Sequence, residues 1–309
     1  MAPPTGGRWR LIAGTLVFAL FGPRVVGLIT LPLAALLALA PPAPGARWRW
    51  SVVLPLAGLG LLLLAPMAPR PLDSVVGAYV VFASAAFVVT AVSLRTGVLV
   101  RASVATALGA LGTVGFALLL RGDVTWNALH MQALHEASDA LRLAEQLQPD
   151  AADLVAPLAN AFGETFPALL VLQTLAGLAL AWQWHTRLAA EPLGPPVAPF
   201  RQFRFGDAWV WGLVGVLCVW IAPALASLKP AALNVGIVLS VLYCLRGTAV
   251  VVAIASGAGI PVGLLVIGAV VASALAVPLL LIVPGIWTLG VFDTWLEFRR
   301  RLAGRPNVT

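Results

Sequence analysis

Residues 231–256 read AALNVGIVLSVLYCLRGTAVVVAIAS, an apolar run that contains a single charged residue, Arg246. A helix needs about 20 consecutive apolar residues to cross the hydrocarbon core of a bilayer, and this run is long enough. Similar runs recur along the chain, since 61% of its 309 residues are hydrophobic and 10% are charged. Soluble domains are about half apolar and about a quarter charged. The composition therefore excludes a soluble globule and a disordered chain, and it predicts a polytopic membrane protein.

Apolar runs separated by proline, glycine or charge predict an all-α transmembrane helix bundle of eight to ten spans. They lie at about 10–22, 24–40, 50–66, 73–94, 97–120, 161–185, 207–226 and 231–256, with two short spans in 260–298. A break near Pro278 or Pro284 would separate these last two. The first two runs and the last are short for a full crossing, so half-spans or re-entrant hairpins are the alternative.

The basic residues are distributed unevenly across the predicted loops. With ten spans and a cytoplasmic N-terminus, 13 of the 19 Lys and Arg residues fall on the cytoplasmic side and 5 outside, with Arg246 inside a span. Cytoplasmic loops normally carry this excess, whereas nine spans would split the charges evenly. We therefore predict a bacterial cytoplasmic (inner) membrane protein with both termini cytoplasmic, a single domain over residues 1–309, and a cytoplasmic Pro/Arg loop at 187–206. Because the net charge of +7 is spread beside apolar runs, nucleic acid is not an expected partner.

Residues 121–160 form the one substantial polar region, with more acidic than basic residues. Apolar residues recur there at helical spacing, namely Leu134, Ala137, Leu141 and Ala144. This pattern predicts an external amphipathic helix that either lies on the membrane or caps the bundle.

Motifs that carry enzymatic chemistry are not found in the sequence. The one lysine, Lys229, lacks the glycines of a P-loop, and His130 and His135 do not have the spacing of a metalloprotease motif. Cys218 and Cys244 lie inside apolar runs without a CxxC pattern. We expect no catalytic residues, no metal, no cofactor and no enzymatic activity.

Arg246 is the most informative residue, because a charge deep in a membrane span usually faces a cavity or a partner. Tyr243 lies one turn earlier on the same helical face. Gly236, Ser240, Tyr243 and Gly247 form a small and polar stripe beside them. One interpretation is a ligand-binding cavity wall made by Arg246 and Tyr243. The other is helix packing through small residues, with Arg246 paired to a carboxylate such as Asp293 or snorkelling to the interface.

Other polar residues have both a functional and a structural interpretation. Asn160 and Glu164 open the run at 161–185 and could line the mouth of an external cavity, or cap the helix. We expect Asp73 and Asp207 to be N-caps, and Glu297 to pair with Arg301 along the last helix. A close-packing face, which could also dock a partner protein, is predicted at Ala105, Gly109, Gly112 and Gly115. Interface anchoring is predicted for most of Trp9, Trp48, Trp50, Trp182, Trp184, Trp209, Trp211, Trp287 and Trp295.

The C-terminal half resembles a known family in three stretches. They are PFRQFR at 199–204 before DAWVW at 207–211, RGTAV at 246–250, and LGVFDTWLEFRRR at 289–301. This order resembles the YybS-like family of predicted bacterial membrane proteins, whose function is unknown. The resemblance covers about residues 160–301, and the first 120 residues share only the hydropathy pattern. Members of this family usually have glutamine at the position of Arg246.

The resemblance implies two classes of function, because the family is remotely similar in fold to two groups of proteins. One group is the substrate-binding subunits of energy-coupling-factor transporters, and the other is MreD of the cell-elongation machinery. The first predicts a transporter-like subunit that binds a small molecule through Arg246, Tyr243, Glu164 and Asn160 and depends on an energising partner or an ion gradient. The alternative is a non-catalytic envelope scaffold or assembly factor that binds other proteins. Fold similarity alone does not decide between them.

Overall fold

The computed structural model describes residues 6–21, 25–40, 71–120, 125–147, 152–261, 263–265, 267–268 and 277–298. Its main helices are α1 (Gly6–Phe21), α2 (Gly27–Leu39), α3 (Pro71–Ser93), α4 (Val98–Leu120), α5 (Trp126–Leu147), α6 (Ala152–Leu188), α7 (Val210–Ile221), α8 (Lys229–Gly257) and α9 (Val277–Leu296). No β-strand occurs among the residues so described, which confirms the all-α fold class. The span predicted at 50–66 lies outside them.

Four helices are long and apolar enough to cross a membrane, at Pro71–Ser93, Val98–Leu119, Ala156–Leu188 and Pro223–Gly257. Four shorter apolar helices lie at Leu11–Leu20, Gly27–Leu39, Asp207–Ile221 and Leu281–Leu296. These helices confirm a helical, multi-pass membrane protein. The total of eight to ten spans and the cytoplasmic termini stay predictions.

The chain forms two compact units, Met1–Val197 and Ala198–Thr309. In the first unit, a short turn joins α3 and α4, and the two helices pack closely through glycine. A Cβ atom on Gly109 would lie 2.7 Å from the Cβ of Ala83, and one on Gly112 would lie 2.9 Å from the Phe82 ring. A Cβ atom on Gly115 would lie within 4 Å of none of the described residues. The predicted packing face is thus confirmed at Gly109 and Gly112, and because α3 occupies it, it is not available for a partner protein.

The amphipathic helix predicted within 121–160 is α5, which packs against α6 and α3. Its Gln132 accepts a hydrogen bond from the backbone N–H of Leu72 at 2.9 Å, and its Ala133 is buried in the core between helices. The packing favours the capping arrangement over a helix that lies alone on the membrane. Its placement on the external side stays a prediction. The helix predicted at 161–185 begins earlier, at Ala152.

In the second unit, α8 is the central helix and packs against both α7 and α9. A Cβ atom on Gly247 would clash with the backbone carbonyl of Ile286, and one on Gly290 would clash with that of Tyr243. Nearer the start of α8, on the same stripe, a Cβ atom on Gly236 would lie 3.2 Å from Val216 of α7. The small-residue stripe of α8 therefore serves helix packing. Since α9 continues through Pro284, the proposed break is not at that residue.

Two sequence predictions are corrected within the first unit. Trp182 is fully buried and its indole N–H donates to the carbonyl of Pro195 at 2.9 Å, so it is an internal residue and not an interface anchor. By contrast, Trp9, Trp211 and Trp295 are exposed, as anchors are. Asp73 is the third residue of α3 and lies inside the helix, not at the N-cap.

Candidate functional site

Arg246 is completely buried in the second unit and makes three hydrogen bonds to two acidic residues. Its Nε donates to Asp293 Oδ2 at 3.0 Å, and its Nη2 donates to the Asp293 carbonyl at 3.0 Å. Its Nη1 donates to Asp207 Oδ1 at 3.1 Å. Removing a guanidinium from water costs several kcal/mol unless opposite charge and hydrogen bonds compensate, and this arrangement supplies both. The expected pairing with Asp293 is thus present.

The ion pairs continue outward from Arg246 as a charge chain of five side chains: Asp293, Arg246, Asp207, Arg204 and Glu297. Arg204 Nη2 donates to Asp207 Oδ2 at 3.0 Å and to Glu297 Oε1 at 3.3 Å. The charge chain begins at buried side chains, with Asp293 3% exposed, and it ends at Glu297, which is 34% exposed. Because Asp293 and Glu297 both come from the end of α9, the chain connects α8, α9 and the turn before α7.

Asp207 lies in the turn before α7 and joins the two arginines of the charge chain. Burial by itself would raise the pKa of this carboxyl group. Hydrogen bonds from Arg246 and Arg204, together with their positive charge, outweigh that effect and lower its pKa below the ordinary value. Asp207 was expected to be an N-cap, but the N-cap of α7 is Trp209. The carboxylate is instead bonded to the arginines.

Aromatic rings cover the buried end of the charge chain. The Phe205 ring lies 5.0 Å from the Tyr243 ring in a T-shaped arrangement, and Arg246 Cζ lies 5.4 Å from the Phe205 ring centroid. A cation close to an aromatic face is attracted by the negative charge density of the ring. Tyr243 is fully buried. Phe205 and Tyr243 therefore exclude water from Arg246, which strengthens its ion pairs.

The last helix ends earlier than the charge spacing predicts. It stops at Leu296, and Glu297 has a φ of 45°, in the left-handed region that residues other than glycine rarely adopt. Glu297 contacts Arg204 of the preceding segment. Its predicted partner, Arg301, lies outside the described residues.

A cavity of about 460 Å³ adjoins the charge chain. Its wall consists of Arg201, Gln202, Arg204, Ala253, Ser256, Gly257, Asp293 and Glu297. These residues lie at the C-terminal ends of α8 and α9 and in the segment before α7. The charge distribution of the sequence predicts that this end of both helices is cytoplasmic, whereas the cavity expected above is external. Among the described residues, no group of three His, Cys, Asp or Glu side chains is placed to hold a metal ion.

The four site residues chosen from sequence fall into two pairs. Tyr243 and Arg246 lie together in the second unit, beneath the cavity wall and not in it. Asn160 and Glu164 are exposed, one turn apart on α6, in the first unit. Ligand binding by these four residues stays a prediction. Arg204 and Asp207 were not chosen, although an arginine three residues before an aspartate at the start of an apolar run was a visible signal.

Comparisons with known proteins agree with this architecture. The family described as "Predicted membrane protein (DUF2232)" matches residues 91–294, about two thirds of the chain. Searches of curated proteins and of solved structures found no match. The chain belongs to this family of membrane proteins of unknown function. The family resemblance noted in its C-terminal half is thus confirmed. The remote similarity to energy-coupling-factor subunits and to MreD stays a prediction.

Proposed function

We propose that this protein is a transporter-like, non-enzymatic subunit of the bacterial cytoplasmic membrane, and that the cavity of the second unit binds a small polar molecule. The supporting observation is a polar cavity at the ends of membrane helices, built on the charge chain, whose inner end at Arg246 and Asp293 is buried. Ionisable residues inside a membrane protein usually mark a binding site or a transport pathway.

The size and the wall of the cavity suit a small polar ligand. Its volume of about 460 Å³ lies within the usual range for small-molecule sites. Arg201, Gln202 and Ser256 supply hydrogen-bond donors to the wall, whereas Asp293 and Glu297 supply acceptors. A ligand that both donates and accepts hydrogen bonds would match such a wall.

Arg246 has a positioning role in this proposal. Each of its three nitrogens already has an acidic residue as partner, and the guanidinium lies behind the cavity wall. It holds Asp293 and Asp207 in place, while the residues of the wall contact the ligand. The sequence shows no nucleotide-binding motif, so uptake would depend on an energising protein partner or on an ion gradient.

Native mass spectrometry of protein extracted gently from its own membrane tests the proposal. We expect wild-type protein to retain a stoichiometric small molecule. Ser256→Leu places an apolar side chain in the cavity wall and should lower the retained fraction at least about tenfold, since a buried polar ligand group would lose its partner. Ser93→Leu is the matched control, because Ser93 is also an exposed serine at the end of a long helix.

Two results would contradict the proposal. One is wild-type protein without any bound small molecule but with stoichiometric protein partners, which would favour the scaffold alternative. The other is equal retention of the same molecule by Ser256→Leu and Ser93→Leu, which would place the ligand elsewhere.

A further inference from the structure

A second buried arginine lies in the first unit, in a cluster that we call the Arg101 cluster: Arg101, Trp182 and His185. Arg101 is 6% exposed, and the other two residues are fully buried. Arg101 Cζ lies 4.9 Å from the Trp182 ring centroid, and the His185 ring lies 5.6 Å from the same indole. A guanidinium and an imidazole thus both lie beside one buried tryptophan.

The unsatisfied polar atoms of the Arg101 cluster are all hydrogen-bond donors. Arg101 Nε and Nη1 are buried, and no residue described by the structure accepts a hydrogen bond from them. His185 Nε2 accepts a hydrogen bond from the backbone N–H of Leu193 at 3.3 Å, so the ring proton of the neutral imidazole is on Nδ1. That Nδ1 is also buried, and it has no acceptor within the part of the chain that the structure describes. The cluster is therefore complementary to a group that offers several acceptor oxygens.

The start of α4 adds to the preference for negative charge. Arg101 lies in the first turn of this helix, and that turn contains no acidic residue. The N-terminus of a helix carries a partial positive charge, which disfavours an arginine there and favours an anion. Aspartate or glutamate would normally supply the compensating charge, and none of the residues that the structure describes places one against Arg101.

The segment 189–197 covers the Arg101 cluster from the solvent side. Pro195 accepts the indole hydrogen bond of Trp182, and the backbone N–H of Val197 donates to Gln183 Oε1 at 3.2 Å. A Cβ atom on Gly194 would lie 3.1 Å from the Trp182 ring and 3.9 Å from Arg101 Nη1. The segment is mostly exposed and is held by few side-chain bonds, so it can move aside at low cost.

We propose that the Arg101 cluster is a binding site for a phosphate group, with Arg101 and His185 as its donors and the segment 189–197 as its cover. Phosphate has the acceptor oxygens and the negative charge that the cluster lacks, and arginine binds it through charge-assisted hydrogen bonds. Arg101 and His185 lie near the ends of two candidate membrane spans, and the ends of a span are the parts that come nearest to phospholipid phosphates. The group can be part of a phospholipid or a free inorganic phosphate.

Thermal unfolding of delipidated, detergent-solubilised full-length protein tests the site with inorganic phosphate as the probe. Sodium chloride at equal ionic strength is the salt control. We expect phosphate to raise the Tm of the wild type by about 3 °C, because a ligand that binds only the folded state stabilises it. Arg101→Met should show no phosphate-dependent rise, whereas Arg95→Met should respond like the wild type, since Arg95 is exposed a short distance before α4.

A milder variant keeps the test decisive if Arg101→Met does not fold. Arg101→Lys retains the positive charge but loses the guanidinium donors, and we expect it to need about tenfold more phosphate for the same rise. Native mass spectrometry of gently extracted protein distinguishes the two sources of phosphate. Phospholipid retained by wild type and Arg95→Met but lost from Arg101→Lys identifies a lipid headgroup site, whereas a phosphate response without retained phospholipid identifies a site for free phosphate.

The proposal is wrong if the wild type neither responds to phosphate nor retains phospholipid. It is also wrong if the Arg101 variants respond to phosphate and retain phospholipid as fully as wild type. Because Ser256 and Arg101 belong to different units, failure of this site is distinguishable from failure of the cavity proposal.

Discussion

Among the described residues, each of the two units buries one arginine, but the surroundings of that charge differ. In the second unit, Arg246 is surrounded by acceptors from Asp293 and Asp207. In the first unit, Arg101 lies against an indole, and two of its nitrogens have no acceptor among the described residues. A buried arginine therefore makes stabilising ion pairs in one unit and keeps unsatisfied hydrogen-bond donors in the other.

The difference arises from what the neighbouring segments carry. Arg246 faces the end of α9 and the turn before α7, each of which supplies an aspartate. Arg101 faces Trp182 of α6 and the Gly194 backbone, neither of which supplies a carboxylate. A buried charge alone thus does not show whether the side chain itself contacts a ligand, and its unsatisfied donors are the informative feature.

The largest expected effect is the difference in stability between the two variants that each lack one buried arginine. Arg246→Met leaves Asp293 as a buried carboxylate without its cation, and we expect a loss of about 3–5 kcal/mol in the free energy of unfolding. Arg101→Met removes a charge that no carboxylate among the described residues compensates, so without phosphate it should be neutral or stabilising. Unfolding in detergent, followed by fluorescence, measures both variants.

A double variant provides the control for this pair. Arg246→Gln with Asp293→Asn retains hydrogen-bonding groups without buried charge, and it should recover most of the stability lost in Arg246→Met. Equal destabilisation by Arg246→Met and Arg101→Met would contradict the contrast between the two units.

An effect of intermediate size is expected where α8 and α9 touch. Gly290→Ala puts a Cβ atom onto the backbone carbonyl of Tyr243, so the helices must separate. We expect a loss of about 1–3 kcal/mol, which is typical of overpacking. Gly285→Ala is the control on the same helix, because its Cβ atom would meet no atom of the described residues within 4 Å. If the two variants unfold at the same temperature, close packing is not what holds Arg246 against α9.

A smaller effect is expected at Asp207, which is 44% exposed and therefore partly screened by solvent. Asp207→Asn should cost less than about 1 kcal/mol at pH 7. The folded-state pKa of Asp207 is lowered, so its contribution exists above the unfolded pKa and is lost as the pH falls through the folded value. The stability gap between wild type and variant should therefore close below about pH 4, which unfolding measured from pH 7 to pH 3 would show. A gap that widens on acidification would contradict this assignment.

The smallest effect is expected at Glu297. Glu297→Gly removes an exposed ion pair with Arg204, worth up to about 1 kcal/mol, but it also relieves a backbone strain of about 1 kcal/mol or more. We expect a change in the free energy of unfolding of less than about 1 kcal/mol. Glu297→Ala, which loses the ion pair and keeps the strained backbone, should be less stable than Glu297→Gly, and the reverse order would show that the strain is negligible.

Part of the candidate site could be predicted from the sequence. A lone charge inside an apolar run identifies Arg246, and Asp293 was the deepest acid available to pair with it. The contact of Arg204 with Glu297 and that of Phe205 with Arg246 could not be assigned in this way, because both depend on a loop that folds back onto α8. Local sequence gives little information about such long-range contacts, since no periodic pattern encodes them.

The sequence by itself determined the all-α membrane architecture and the positions of most helices. Hydropathy is a local property, and a bilayer forces backbone polar groups to bond within each helix. Only the tertiary structure decided which buried arginine has hydrogen-bond acceptors, which glycines contact a neighbouring helix, and that Trp182 is internal. These outcomes depend on which distant segments meet, because a change of less than an ångström in the donor–acceptor distance decides whether a hydrogen bond forms.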